Sequence, residues 1–162
     1  MRRRTAGFAL LAAAFLAGCA APARQTVDDG SAFWSGRLAL QVESESPQSF
    51  AASFELKGSA ERGELLLFSP LGQTLARLAW SPQQAHLQAN GEERAFESLD
   101  ALAAHVTGTA LPVAALFDWL AGRERAVPGW QADLSQLQES NRLVARRSMP
   151  LPVAVLRVAL QR

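Results

Sequence analysis

The sequence has few of the residue types on which many common functions depend. Its 162 residues include one cysteine, two histidines, one lysine and no tyrosine. A single cysteine excludes an internal disulfide, and so few cysteines and histidines cannot form a Cys/His zinc site. The formal net charge is only +1, and the basic clusters are limited to residues 2–4 and the pair Arg146-Arg147. Nucleic-acid binding is therefore not expected.

Residue patterns typical of enzymes are also missing. A nucleophilic enzyme needs a base beside its nucleophile, and only His86 and His105 are available as histidine bases. There is no Gly-x-Ser-x-Gly turn, no phosphate-binding glycine loop and no metal-ligand spacing. Asp118 is the one acid within an apolar helical stretch, where a solvent-facing position explains it. We predict neither catalysis nor a cofactor or metal.

The longest apolar run lies at the N-terminus and is too short to span a bilayer. Residues 6–17 follow three arginines, whereas a membrane-spanning helix needs about 20 residues. A run of this length is typical of a secretory signal peptide. It ends in Leu16-Ala17-Gly18-Cys19, which matches the bacterial lipobox at all four positions. We therefore predict a cleaved signal over residues 1–18 and acylation of Cys19; the alternative is an ordinary signal with a chance cysteine.

Cleavage changes the charge of the chain. The remaining 13 basic and 15 acidic residues give a formal net charge of −2, so no strong electrostatic attraction to anionic lipid is expected. Residues 19–32 lack periodicity and read as a lipidated N-terminus and flexible tether. Ala20 follows the cysteine. An aspartate at this position would favour retention in the inner membrane, so its absence favours the outer membrane. Residues 33–162 suit one domain.

Within that domain the hydrophobic period changes twice. Period-2 alternation predicts strands near residues 34–42, 50–56, 64–68, 73–80, 83–89 and 92–96, then near 130–134, 143–145 and 156–160. Between these two groups, a period of 3.6 predicts a helix over 99–106, capped by Ser98 and closed by Gly108. A second helix is predicted from Leu111-Pro112 to Gly122. We therefore predict a mainly β domain with one curved antiparallel sheet and helices on its concave face, over a packed core or an apolar cavity.

The turn at residues 69–72 has an apolar residue at its tip. Loops are usually polar because they lie in water, but here Leu71 stands between Pro70 and Gly72. An exposed Leu71 could enter a bilayer or contact a partner's apolar surface. It could equally fold back onto the core, and residue types alone do not decide between these positions.

Several segments, taken in order, resemble the LolB family of outer-membrane lipoprotein receptors. They are the lipobox, Ser35-Gly36-Arg37, the Phe54 strand ending at Gly58, the segment Leu65 to Gly72, and the helical motif Thr107-Gly108, Leu111-Pro112, Leu116, Trp119-Leu120, Gly122. The resemblance implies an incomplete β-barrel with a helical lid over an apolar cavity. It also implies a lipid-anchored protein, expected to be a monomer, that faces the periplasm. Such a protein accepts acylated lipoproteins from the periplasmic carrier LolA and inserts them into the inner leaflet of the outer membrane.

The resemblance also suggests site residues. The family's membrane-delivery loop corresponds to Pro70, Leu71 and Gly72, which favours exposure of Leu71. Strand parity and helix face select candidates for the cavity lining, namely Trp34, Leu38, Leu40, Phe54, Leu67, Trp80, Leu116 and Trp119.

Two departures from the family and two alternatives remain. The chain looks shorter after the second helix, so one or two C-terminal strands are expected to be short, and it has no tyrosine. One alternative is an outer-membrane lipoprotein that carries free lipid. The other is a structural or assembly lipoprotein with a packed core.

Overall fold

The computed structural model describes residues 32–107 and 110–161. These residues form, in chain order, β1 (Ala32–Glu43), β2 (Gln48–Gly58), β3 (Gly63–Phe68), β4 (Thr74–Ser81), β5 (Gln84–Ala89), β6 (Glu92–Phe96), α1 (Leu99–Thr107), α2 (Val113–Leu120), β7 (Trp130–Asp133), α3 (Leu137–Ser140), β8 (Arg142–Arg147) and β9 (Val153–Leu160). The order of six strands, two helices and three strands is the predicted one. α3 was not predicted, because four residues are too few to show a helical period. The predicted signal peptide, Cys19, residues 20–31 and Gly108 lie outside the described residues.

All the strands of the described segments belong to one antiparallel sheet. Their order is β6-β5-β4-β3-β2-β1-β9-β8-β7. The first and last strands pair in the middle of this sheet, where Leu40 lies opposite Leu156. The edge strands β6 and β7 do not pair with each other, so the sheet does not close. The predicted fold class, a mainly β incomplete barrel, is confirmed.

Burial alternates along the strands and defines an inner and an outer face. On β2, Ala52, Phe54 and Leu56 are buried and face inward, whereas Glu55 and Lys57 are exposed on the outer face. The same alternation holds on β4 and β8. Since side chains alternate with period 2, each of these strands has its apolar set on the face that meets the helices.

The helices begin and end close to the predicted residues. Ser98 caps α1 as expected, because its Oγ accepts a hydrogen bond from the Ala101 N–H at 3.1 Å. α2 follows Pro112 and closes at Gly122, whose N–H donates to the Trp119 carbonyl at 2.9 Å. Phe117, Trp119 and Leu120 are buried within the core. The buried face of α2 therefore includes Trp119.

A glycine permits the close central pairing of β1 with β9. A Cβ on Gly36 would lie 2.1 Å from the Ala159 carbonyl oxygen. No side chain can be accommodated against backbone at that distance, which gives a physical reason for glycine in the Ser35-Gly36-Arg37 segment.

Candidate functional site: an apolar cavity and an exposed loop

An apolar cavity of about 100 Å³ lies between the inner face of the sheet and the helices α1 and α2. The lining comes from five strands, the two helices and the segment between them. Its members are Leu38, Leu40, Phe50, Leu56, Leu65, Leu67, Leu78, Trp80, Leu99, Ala103, Val106, Thr107, Leu111, Val113, Phe117 and Leu156. Thr107 is the one polar residue among them, and its hydroxyl donates to the Ala103 carbonyl at 2.7 Å. A space with no charged side chain in its lining suits apolar ligand atoms alone.

Aromatic rings form one wall of this cavity. The Phe117 ring packs edge-on against Trp80, with centroids 6.1 Å apart, and against Trp34 at 5.7 Å. The indole N–H of Trp80 donates to the Ser59 carbonyl at 2.9 Å. Because its polar atom is satisfied by that turn, Trp80 presents hydrocarbon to the cavity.

The structure places four of the eight candidate lining residues on the cavity and four elsewhere. Leu38, Leu40, Leu67 and Trp80 belong to the lining, whereas Trp34, Phe54, Leu116 and Trp119 do not. Strand parity selects a face correctly but does not say how far along that face a side chain lies from the helices. Phe54 shares its buried face with Leu56, yet only Leu56 reaches the cavity.

The displaced candidates have other packing partners. Trp119 packs against Trp130, with ring centroids 6.3 Å apart, and its indole N–H donates to the Arg125 carbonyl at 3.1 Å. Trp34 lies against Phe117, and Leu116 is half-buried. The candidate list had also omitted Leu78, Phe117 and Leu156. All three are apolar at an inward parity or helix position, so the sequence contained the signal needed to include them.

The loop between β3 and β4 exposes Leu71. Its side chain is 88% exposed, and Pro70 and Gly72 are exposed beside it. The loop is closed by its own backbone, because the Ser69 N–H donates to the Gln73 carbonyl at 2.8 Å and the Gly72 N–H donates to the Ser69 carbonyl at 2.9 Å. Gly72 has φ of +79°, a conformation that favours glycine. The turn therefore holds an apolar side chain in solvent without a contact that would draw it back onto the sheet.

Asp118 of α2 forms ion pairs with two arginines that follow the helix. Asp118 accepts hydrogen bonds from Arg123 at 2.7 Å and from Arg125 at 2.8 Å. These contacts, with Arg125 contributing most and Arg123 next, lower the pKa of the Asp118 carboxyl below its ordinary value. Asp118 thus closes the turn after α2. It is paired with arginines and is not simply facing solvent as the sequence suggested.

Arg147 is a buried cation that the sequence did not single out. Its residue is only 4% exposed, and its guanidinium donates to the Ala110 carbonyl at 3.1 Å and the Pro152 carbonyl at 2.9 Å. It also lies over the Trp130 ring, 5.8 Å from the centroid. Arg147 therefore links the segment that enters α2 to the end of the sheet. Arg147 shares the inward parity of Leu143 on β8, and this pattern indicates burial. Its burial was not predicted because Arg147 was interpreted only as part of the basic pair Arg146-Arg147.

Neither histidine belongs to a metal-binding cluster among the described residues. His86 lies at the surface, with Nδ1 3.4 Å from a Glu93 oxygen, and His105 packs against Phe96 at 5.1 Å. Over residues 32–107 and 110–161, no group of three or more His, Cys, Asp or Glu side chains could hold a metal ion. No helix in these two segments combines the length and the apolar character needed to cross a bilayer.

Comparison with known proteins identifies a single family. The family model described as outer membrane lipoprotein LolB matches residues 33–155. The chain is 36% identical over 140 residues to a protein of Ralstonia nicotianae, in a match that covers 80% of this chain and 66% of the relative. It is 39% identical over 115 residues to a protein of Bordetella pertussis, covering 68% and 58%. A Bordetella petrii protein is 31% identical over 172 residues, covering 90% and 86%.

Each of these relatives is named outer-membrane lipoprotein LolB. The matched region spans slightly less than two thirds of the first relative and 58% of the second. The match to the family model nevertheless includes most of the described sheet and all three helices. The chain therefore belongs to the LolB family of outer-membrane lipoproteins.

Proposed function

We propose that this chain is a receptor, and not an enzyme, that accepts the acyl chains of lipoproteins from the periplasmic carrier LolA. It then delivers those lipoproteins to the inner leaflet of the outer membrane. The observation that carries this proposal is the apolar cavity between the sheet and the helices, whose lining includes no charged residue. Membership of the LolB family supports it.

An apolar cavity shields acyl chains from water while an acylated protein moves between carrier and membrane. Exposing a chain of about 15 methylene groups costs roughly 12 kcal/mol, at about 0.8 kcal/mol each. An acylated protein therefore cannot pass between carrier and membrane with bare chains at a useful rate. A protein cavity lined by leucine, valine and aromatic side chains replaces the hydrocarbon of the bilayer during that passage.

The cavity must enlarge before it can hold an acyl chain. Its volume of about 100 Å³ is smaller than the roughly 150 Å³ cavity that accommodates benzene in another protein. α1 and α2 supply six of the lining residues, so moving them away from the sheet would open the cavity. The free energy spent on opening lowers the affinity for acyl chains, which favours release into a bilayer.

Leu71 is proposed to act in delivery, and Cys19 to anchor the protein. Burying one leucine contributes about 1.5–3 kcal/mol, enough to favour contact between the loop and a bilayer but not to anchor a protein. The proposed anchor is therefore the acylated Cys19. Residues 19–31 can reach at most about 45 Å when extended, at about 3.5 Å per residue.

A transfer assay tests the receptor role. The mature chain carrying Cys19→Ala is mixed with a cognate LolA–lipoprotein complex, and association of the cargo with the chain is measured. We expect acylated cargo to transfer and unacylated cargo to remain unbound. A folded chain that takes up neither form would contradict the proposal and favour the structural or assembly alternative.

Tryptophan quenching tests the cavity itself. A brominated fatty acid should quench Trp80 fluorescence, because this ring lines the cavity. Trp80→Phe should remove most of that quenching, whereas Trp119→Phe, which changes a tryptophan outside the lining, should retain it. Equal quenching in both variants would place the probe elsewhere. Fatty-acid and phospholipid binding without cargo transfer would instead favour a carrier of free lipid.

A further inference from the structure

The outer face of the sheet, opposite the apolar cavity, carries a groove of about 460 Å³. Small residues at outward positions, Ala39, Ala51, Ser53 and Ala159, contribute to its floor. Three arginines border it, and Pro70 of the Leu71 loop also contributes to its lining. We call this feature the arginine groove and define it by Arg37, Arg142 and Arg157.

Strand register brings these three arginines together. Ala159 on β9 lies opposite Arg37 on β1 and also opposite Arg142 on β8. Arg157 is the next outward residue on β9, so it lies diagonal to both. With neighbouring strands about 4.8 Å apart, the backbones of Arg37 and Arg142 are separated by roughly 10 Å, with Ala159 between them. A small side chain at the centre leaves room for a ligand among the three arginines.

The charge of the groove is not neutralised within the described structure. Neither Arg37 nor Arg142 forms an ion pair or a side-chain hydrogen bond with residues 32–107 or 110–161, and no acidic residue belongs to the lining. Arg157 donates to the neutral Gln41 Oε1 at 2.6 Å. Glu55 is the outward carboxylate two residues along β2 from Ser53, and it forms no ion pair with Arg37.

Most other exposed arginines of the described residues are paired, and Arg62 is the exception. Carboxylates lie within ion-pair distance of Arg77, Arg94, Arg123, Arg125 and Arg146. The arginine groove thus differs from the rest of the described surface in holding three guanidinium groups with no carboxylate partner. This local charge contrasts with the net charge of −2 expected for the mature chain.

We propose that the arginine groove binds the phosphate headgroups of phospholipids in the membrane that receives the cargo. Guanidinium groups are well suited to phosphate oxygens because they offer paired N–H donors. Pro70 lines the groove and is the neighbour of Leu71. When Leu71 enters the acyl region of a leaflet, the groove therefore comes to the level of the headgroups. This proposal rests on the proposed membrane contact of Leu71 and adds a polar contact beside it.

The position of the arginine groove leaves the apolar cavity free to hold cargo. The groove and the cavity lie on opposite faces of the sheet and share only Leu38 among their lining residues. A loaded receptor can therefore contact headgroups while its cavity still holds an acyl chain. The arginine groove would then orient the protein on the bilayer before release.

Vesicle flotation tests this proposal. The mature chain with Cys19→Ala is mixed with phosphatidylethanolamine vesicles containing about one fifth phosphatidylglycerol, at low and at physiological salt. We expect Arg37→Gln with Arg142→Gln to weaken vesicle partitioning by about 25-fold at low salt, about fivefold for each arginine, and by less at higher salt. The matched control, Arg62→Gln with Arg94→Gln, removes the same charge at positions outside the groove and should partition like the parent chain.

The outcomes separate this proposal from the proposed function. Equal partitioning of the groove variant and the control variant would overturn the headgroup site, as would a groove variant that partitions normally but no longer takes cargo from LolA. The latter result would indicate an acidic protein surface as the partner. A parent chain that accepts no cargo at all would contradict the receptor role, whatever the vesicles show. Thermal melts of each variant check that the fold is retained.

Discussion

Replacing Leu71 with glutamate separates membrane delivery from folding and from cargo uptake. The side chain is 88% exposed, so the substitution should change the free energy of unfolding by no more than about 0.5 kcal/mol. The cavity lies on the inner face and does not include Leu71, so transfer of cargo from the carrier should also be unchanged. Delivery should suffer, because the loop loses the burial of one leucine and gains a charge.

The size of the defect follows from the transfer free energy. Losing about 1.5–3 kcal/mol of leucine burial corresponds to a reduction of roughly ten- to hundredfold in productive contact with the bilayer. Insertion of acylated cargo from the loaded receptor into vesicles, followed over time by flotation, measures this step. The matched control is Leu151→Glu, since Leu151 is also strongly exposed, at 71%, in the loop between β8 and β9. Delivery by Leu71→Glu at the parent rate, or an equal loss of delivery in both variants, would contradict the proposed role of Leu71.

Three further predictions concern stability. Asp118→Asn should remove the contribution to the free energy of unfolding that comes from the lowered pKa of Asp118. That contribution is present above the ordinary aspartate pKa of about 3.9 and is lost as the pH falls below it. Urea melts from pH 7 to pH 3 should therefore show a smaller loss of stability at acid pH in the variant, and parallel curves would contradict this. Gly36→Ala should destabilise the fold by about 3 kcal/mol, the upper end of the usual cost of overpacking, since its Cβ would meet the Ala159 carbonyl at 2.1 Å. Gly72→Ala, where only the positive φ opposes a side chain, should cost about 1 kcal/mol, so similar denaturation midpoints for the two glycine variants would refute the close-approach argument. Arg147→Lys should cost about 2–3 kcal/mol, because one ammonium cannot reproduce both guanidinium contacts to backbone carbonyls; a thermal midpoint equal to that of the parent would show that these contacts contribute little.

Local patterns in the sequence were sufficient for the order and type of the longer elements. Alternating apolar residues determine which face of a strand is buried, and the change to a period of 3.6 marks the two longer helices. Ser98 behaves as the predicted cap because capping depends on residues within one turn of each other. α3 escaped prediction because its four residues make little more than one helical turn, so no repeat of the period can appear. Residue types alone left the position of Leu71 open, because nothing in a turn of four residues tells which way its apolar side chain points. The family resemblance favoured exposure, which the structure confirms.

Only the tertiary structure decided which residues meet. Leu38 and Trp80 reach the cavity whereas Phe54 and Trp119 do not, because distance from the helices depends on the curvature of the sheet and on how α2 packs. The arginine groove joins residues from β1, β8 and β9, which the pairing of the first strand with the last makes neighbours. Composition gave the mature chain a small negative charge, yet the register of three strands gathers unpaired positive charge on one face. The sequence by itself determined the periods and therefore the faces, since these are local properties of the backbone. The cavity, the exposure of Leu71 and the groove depend on contacts between distant segments, which only the folded sheet specifies.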